Sequence, residues 1–265
     1  MGEFPDLWNL TQPERVTEVA RAYVEAGSQI VLTNTFGANR IRLAENGAGD
    51  QVAEINRRGV EISREASGGQ AKVFASIGPT GKLLMSGEVT EEAMRAAFGE
   101  QARALAEGGA DGLVVETMSD LEEAKLAVGA ARETALPVVA CMVFDSGRDH
   151  DRTMMGTTPE QAAAALTEAG ADVIGANCGQ GIAGFFAICR RLHGATRCPI
   201  WIKPNAGLPR MVEGRPHYDV KPEEFASFLP ELLKLGASFV GGCCGTRPDF
   251  ILALRQELHK HARAG

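Results

Sequence analysis

Three helix endings in this chain are near copies of one another, and a fourth is similar. Glu25-Ala26-Gly27, Glu107-Gly108-Gly109-Ala110-Asp111, Glu168-Ala169-Gly170-Ala171-Asp172 and Leu235-Gly236-Ala237 each stop a helical pattern on glycine and lead at once into an apolar run. Glycine suits that point because it accepts the left-handed backbone that closes a helix. A stop of this kind repeated along the chain, each time with a strand after it, sets up alternating strands and helices. Such a chain folds around a parallel sheet, because parallel neighbours need a crossover and the helix supplies it.

Seven strands follow from the apolar runs: 29–36, 72–77, 112–117, 137–144, 173–177, 200–203 and 239–242. They are apolar on both faces, as strands covered on both sides are. Between them lie helices with recognisable starts. Thr11 or Asn9 caps the first, with Pro13 in its first turn; Thr90 and Ser119 or Asp120 cap later ones, and Thr158-Pro159-Glu160 starts another. At 265 residues the natural architecture is one domain, 1–265, forming a parallel (β/α)8 TIM-type barrel. An open doubly wound sheet is the alternative, but no Gly-rich nucleotide loop opens a first helix. The chain begins at a helix, so the first strand of the barrel is missing, or is supplied from outside residues 11–265. Residues 1–10, an upstream start or a second copy are the candidates to cover the unpaired edges.

The formal net charge of −7 and the lack of any Lys/Arg run argue against a nucleic-acid partner. No stretch is apolar for long enough to span a membrane, and residues 1–10 carry no leader pattern. Six cysteines in this length do not make a disulfide framework, which fits a cytoplasmic protein with reduced thiols.

A barrel of this kind carries its active site at the strand ends. Those ends read Thr33-Asn34-Thr35-Phe36, Ser76-Ile77-Gly78-Pro79, Glu116-Thr117, Asn177-Cys178-Gly179, Pro204-Asn205-Ala206-Gly207 and Gly242-Cys243-Cys244-Gly245. Cys141 lies inside an apolar strand and reads as packing; Cys189, on a helical face, and Cys198, before a proline, read as structural or incidental. Cys178, Cys243 and Cys244 sit between glycines. Neighbouring strand residues point to opposite faces, so Cys243 and Cys244 can act together only if the backbone leaves the ladder, which flanking glycines permit. Spacing alone leaves two readings open: three sulfurs on one metal ion, or a small-residue strand end packed against a helix. If the first holds, three thiolates on zinc with one open position make an electron-rich centre suited to a fourth thiolate. Coordination ionises a thiol that is mostly protonated near neutrality, and the bound sulfur can then attack a methyl carbon.

With those motifs in place, the chain resembles the homocysteine S-methyltransferase family, and within it the homocysteine module of cobalamin-dependent methionine synthase. The likeness rests on Leu7-Trp8-Asn9-Leu10-Thr11, Leu32-Thr33-Asn34-Thr35-Phe36-Gly37-Ala38-Asn39, Ser76-Ile77-Gly78-Pro79-Thr80-Gly81, Glu116-Thr117-Met118-Ser119-Asp120, Gly175-Ala176-Asn177-Cys178-Gly179, Pro204-Asn205-Ala206-Gly207 and Gly241-Gly242-Cys243-Cys244-Gly245-Thr246. These run in family order over nearly the whole chain, and the pairing of the two cysteine motifs is the specific part. The resemblance implies one zinc per chain on Cys178, Cys243 and Cys244. It implies Glu116 as the holder of the substrate ammonium, and Asn205 as a residue near the metal or its fourth ligand. Thr35, Phe36, Ser76 and Asn177 are implied as the lining of the substrate pocket. Without the resemblance, Glu116 reads as a capping or solvated carboxylate and the last four as shapers of strand-end turns.

The implied reaction is methyl transfer to homocysteine sulfur, giving methionine. Methylcobalamin on a partner corrinoid protein is the expected donor, with S-methylmethionine or a betaine as alternatives. Two other readings are a component of a corrinoid-dependent demethylation system and a non-catalytic zinc-binding barrel subunit. One departure bears on the acceptor: the family's first strand ends in an Asp-Gly-Ala/Gly-type turn whose backbone helps bind the amino-acid carboxylate, and no stretch here matches it. Impaired homocysteine binding, a different thiol, or a start upstream of Met1 would each follow from that.

Overall fold

The computed structural model describes residues 4–264. Seven parallel strands form one curled sheet: β1 (Ile30–Leu32), β2 (Lys72–Ile77), β3 (Gly112–Met118), β4 (Val138–Met142), β5 (Val173–Gly181), β6 (Ile200–Asn205) and, last in the sheet, β9 (Ala237–Val240). Their order in space is their order in sequence, β1-β2-β3-β4-β5-β6-β9. A doubly wound sheet reverses direction at a switch point; this one never does, so the barrel reading holds. The sheet stays open between β1 and β9, as a TIM-type barrel lacking one strand would.

The repeated helix endings explain how the strands are launched. Gly27, Gly109, Gly170 and Gly236 have φ of 97°, 88°, 100° and 99°. In each case the glycine N–H reaches back three residues, to Val24, Ala106, Thr167 and Leu233 respectively. At two of the four, an aspartate completes the phrase. Asp111 Oδ2 accepts from the backbone N–H of Val73 at 2.9 Å, and Asp172 Oδ2 from that of Val138 at 2.8 Å. Each aspartate thus fixes the start of its own strand against the neighbouring one.

Two cores result. The larger lies between the sheet and its outer helices, with Phe98, Leu105, Leu113, Phe185 and Phe225 wholly buried. The smaller fills the barrel interior: Val114, Val139, Cys141 and Trp201, with Ile30, Leu32, Phe74 and Val173 against them. Trp201 meets Phe74 edge-on at 6.2 Å and Phe239 at 5.5 Å between centroids. On the open side, Val19 is 59% exposed although it sits in the amphipathic helix Pro13–Glu25.

Some expectations shift. The first helix is split, Trp8–Thr11 and then Pro13–Glu25, and Gln12 stands at the second start. Neither Thr11 nor Asn9 caps it: the Thr11 hydroxyl donates to Leu7, and the Asn9 amide donates to the carbonyls of Asn34 and Ile55. Asn9 therefore ties the N-terminal segment to the end of β1. Thr90 and Asp120 cap as expected, and the helix that starts at Thr158 opens with a full capping box of Thr158 and Gln161. The last strand spans Ala237–Val240, ending two residues earlier than its apolar run suggests. A small antiparallel hairpin, β7 (Arg210–Val212) and β8 (Arg215–His217), was not predicted from the sequence.

Candidate metal centre

Cys178, Cys243 and Cys244 converge. Their sulfurs all lie within 4.8 Å of one another, and Cys178 Sγ and Cys244 Sγ are 3.8 Å apart. That is far beyond a disulfide bond of ~2.05 Å, and all three are free thiols. A tetrahedral zinc with Zn–S bonds of ~2.3 Å has sulfur–sulfur edges of ~3.8 Å, so the donor set fits that ion.

Backbone departures bring the sulfurs together. Cys178 has φ 63° and Gly179 has φ 72°, within a shift of the β5–β6 register between Asn177 and Gly181. A left-handed cysteine costs ~1–2 kcal/mol, and residues held in that state cluster at functional sites. Cys243 and Cys244 lie past the end of β9, out of the ladder. Cys243 N–H donates to Pro204 O at 2.8 Å, Cys244 N–H to Asn205 Oδ1 at 3.0 Å, and Ala206 N–H to Cys244 O at 2.9 Å. The two-cysteine turn is therefore clamped to the end of β6. Small residues at 241, 242 and 245 let it pass there.

Charge in the cluster is uneven. Hydrogen bonds from Cys243 and Cys244, together with one from Asn205, hold the Cys178 thiol well below the ordinary range. Its thiolate in turn pushes Cys243 upward, with burial adding to the effect. Tyr218, which follows the hairpin, sits beside this corner, and its hydroxyl is raised by partial burial and by the cysteine charges. Cys141 behaves as packing: it is fully buried, and burial pushes its thiol up to about 11.

A second corner lies on the other side of the strand ends. Glu116, 8% exposed, accepts from Ser76 Oγ at 2.5 Å and from Lys203 Nζ at 2.5 Å. Lys203 is itself 3% exposed, with its ammonium 5.1 Å from the Trp201 ring centroid. Burial works against that charge, but Glu116 at contact outweighs it and the lysine pKa is raised. Thr35 is wholly buried and its hydroxyl donates to Ser76 O at 2.8 Å; Phe36 is 41% exposed at the rim. Asn177 joins the two corners. Its Oδ1 accepts from Thr117 N–H at 2.8 Å and its Nδ2 donates to Thr117 Oγ1 at 2.7 Å. Thr117, with φ 61°, is the second left-handed strand-end residue, directly after Glu116.

A cleft of about 670 Å³ lies in the gap between β1 and β9, lined among others by Trp8, Val19, Thr33, Trp201 and Thr246, and reaching the two corners at Lys203 and Cys243. Sequence reasoning singled out the three cysteines, which the structure brings together, and Glu116, but not its neighbours Lys203 and Thr117, nor Tyr218 beside the cysteines. Lys203 shares strand parity with Trp201 and Asn205, but a lysine at a strand end is ordinarily solvated, and the other two carry no sequence signal.

The family model for homocysteine S-methyltransferases matches residues 3–258. The chain is 33% identical over 256 residues to methionine synthase of Mycobacterium leprae, covering 93% of this chain and 21% of that protein. It is 32% identical over 259 residues to methionine synthase of Mycobacterium tuberculosis, covering 93% and 22%. It thus spans about a fifth of the length of these curated relatives. Among solved structures, the homocysteine methyltransferase MmuM of Escherichia coli in its metallated form superposes with a TM-score of 0.78 at 26% identity, over 95% of this chain and 88% of that one. Its oxidised form gives 0.77 at 25% identity. Family match, barrel and strand-end cysteines agree: the chain belongs to the homocysteine S-methyltransferase family.

Proposed function

We propose that this chain transfers a methyl group to the sulfur of homocysteine, giving methionine, with one zinc ion on Cys178, Cys243 and Cys244. The observation that carries the reading is the sulfur triangle itself: three free thiols within 4.8 Å of one another, one pair at the 3.8 Å of a tetrahedral edge, with a buried carboxylate, Glu116, also at the strand ends. Zinc held by three thiolates supplies one thing, ionisation of a fourth, incoming thiol at neutral pH. The chain's own residues do the rest. Asn205 holds the Cys244 backbone and bonds Cys178, fixing two of the three donors. Glu116 takes the substrate ammonium, with Ser76 orienting its carboxylate. Thr35 and Asn177 brace the strand ends behind these groups, and Phe36 covers the rim.

For the donor we propose methylcobalamin on a corrinoid-carrying partner domain or protein, an inference from the likeness to methionine synthases. That group would supply an electrophilic methyl and keep the electron pair of the bond it gives up, while the residues above would hold the acceptor sulfur, whose proton would go to solvent. An assay of the zinc-loaded chain with homocysteine and each of methylcobalamin, S-methylmethionine and betaine tests this. Methionine formed from methylcobalamin is the expected result. Methionine from S-methylmethionine alone reassigns the donor, and no methionine from any of them removes the catalytic reading.

A further inference from the structure

Lys203 has no role in the reading above, yet its position is unusual. It is a lysine 3% exposed, on β6 two residues before Asn205, and it faces the cleft that Cys243 also lines. A lysine so buried needs a partner, and it has one in Glu116 Oε2. Among the described residues, Glu116 is the one acceptor within hydrogen-bond distance of its Nζ. An ammonium has three donors, so two remain for another group. Glu116 is in a matching state. Its two oxygens receive one bond each, from Ser76 and Lys203, and a carboxylate has about four acceptor positions.

The pair is therefore neutral as a unit but has spare capacity of both signs. An isolated anion or cation entering a buried site unbalances it, at a large desolvation cost. A zwitterion does not, provided that each end finds its opposite. The ammonium end of an α-amino acid would meet Glu116, and the carboxylate end would meet Lys203. A carboxylate bonded by a buried ammonium gains the larger energy of charge-assisted hydrogen bonds.

We propose that Lys203 is a specificity-determining residue that holds the carboxylate of the amino-acid thiol acceptor, while Glu116 holds its ammonium. This rests on homocysteine being the acceptor. Lys203 touches no reacting atom, so its effect is on which thiols bind and not on the methyl-transfer chemistry.

The test is calorimetric binding of three thiols to the zinc-loaded chain. The thiols are L-homocysteine, 3-mercaptopropylamine, which lacks the carboxylate, and 4-mercaptobutyrate, which lacks the ammonium. Lys203→Met should weaken homocysteine and 4-mercaptobutyrate by roughly 10–100-fold, and leave 3-mercaptopropylamine within about 3-fold of wild type. Because Lys203→Met leaves Glu116 buried without its cation, the double variant Lys203→Met, Glu116→Gln is measured beside it. There too the preference for homocysteine over 3-mercaptopropylamine should be lost. If either variant keeps that preference, or weakens all three thiols equally, Lys203 only balances charge and the proposal is overturned. If wild type binds 3-mercaptopropylamine or 4-mercaptobutyrate but not homocysteine, the acceptor assignment fails first, and this inference with it.

Discussion

The two clusters at the strand ends, the sulfur corner and the carboxylate corner, are built in opposite ways. The sulfur corner gathers three like groups that repel one another once ionised, and it holds them with backbone. Cys178 is forced into a left-handed conformation, and the Cys243-Cys244 turn is clamped to Pro204, Asn205 and Ala206. The carboxylate corner gathers opposite charges on strands, and Glu116, Ser76 and Lys203 need no such clamp. A cluster of free thiols is costly to assemble unless something binds it, whereas an ion pair of this kind balances its own charge and still keeps hydrogen-bond capacity for another group. The sulfur corner is thus organised for a ligand from outside, and the carboxylate corner for stability and for reading the substrate's charged end.

If that contrast is right, the corners should fail differently. Cys178→Ala or Cys243→Ala should lower zinc affinity by more than the ~10–100-fold that loss of a supporting contact costs, with little loss of folding stability. Cys141→Ala should leave metal content unchanged. Metal titration and thermal melts together check this, and equal behaviour of Cys141→Ala and Cys243→Ala would erase the distinction. In the other corner, Glu116→Ala strands a buried ammonium and should cost ~3–5 kcal/mol in urea unfolding, while zinc stoichiometry stays as in wild type.

Asp6 supplies a control for what Lys203 does. It is as buried as Glu116, at 5% exposed, and accepts from Gly37 N–H at 2.9 Å. Among the described residues no cation lies at ion-pair distance from it. Burial, only partly offset by the Gly37 bond, pushes its carboxyl from 3.8 up to about 6. The folded chain therefore binds a proton there that the unfolded chain releases. Asp6 contributes its stability below about pH 4, and that contribution is lost as pH rises through about 6. Asp6→Asn should be more stable than wild type above pH 7, by at most ~3 kcal/mol, with the gap closing toward pH 4. A gap that does not change with pH would contradict the sign. The smallest effect is expected from Asn205→Ala, which removes a support and no ligand: zinc affinity should fall by ~10–100-fold while the site still fills at high zinc.

The contrast also explains what could be read before folding. The repeated Glu-Ala-Gly and Gly-Ala-Asp phrases carry backbone geometry directly, so strand number and order were legible, as was the gap between β1 and β9. The cysteine motifs were legible through the family resemblance; their spacing alone left a packed small-residue strand end as an open reading. Lys203 was not, since a lysine at a strand end is ordinarily a solvated one; only the closure of β3 against β6 across the interior buries it on Glu116. The left-handed Thr117 was hidden too, because threonine has no preference for that state and Asn177, sixty positions away, holds it there. Thr11 misled as a cap because Trp8–Thr11 forms a turn of helix of its own.

Metal analysis of the chain, purified without chelator, tests the central claim most directly. About one zinc per chain, lost on Cys243→Ala, is the predicted result; less than about a tenth of a zinc per chain would contradict the three-thiolate site and the chemistry built on it.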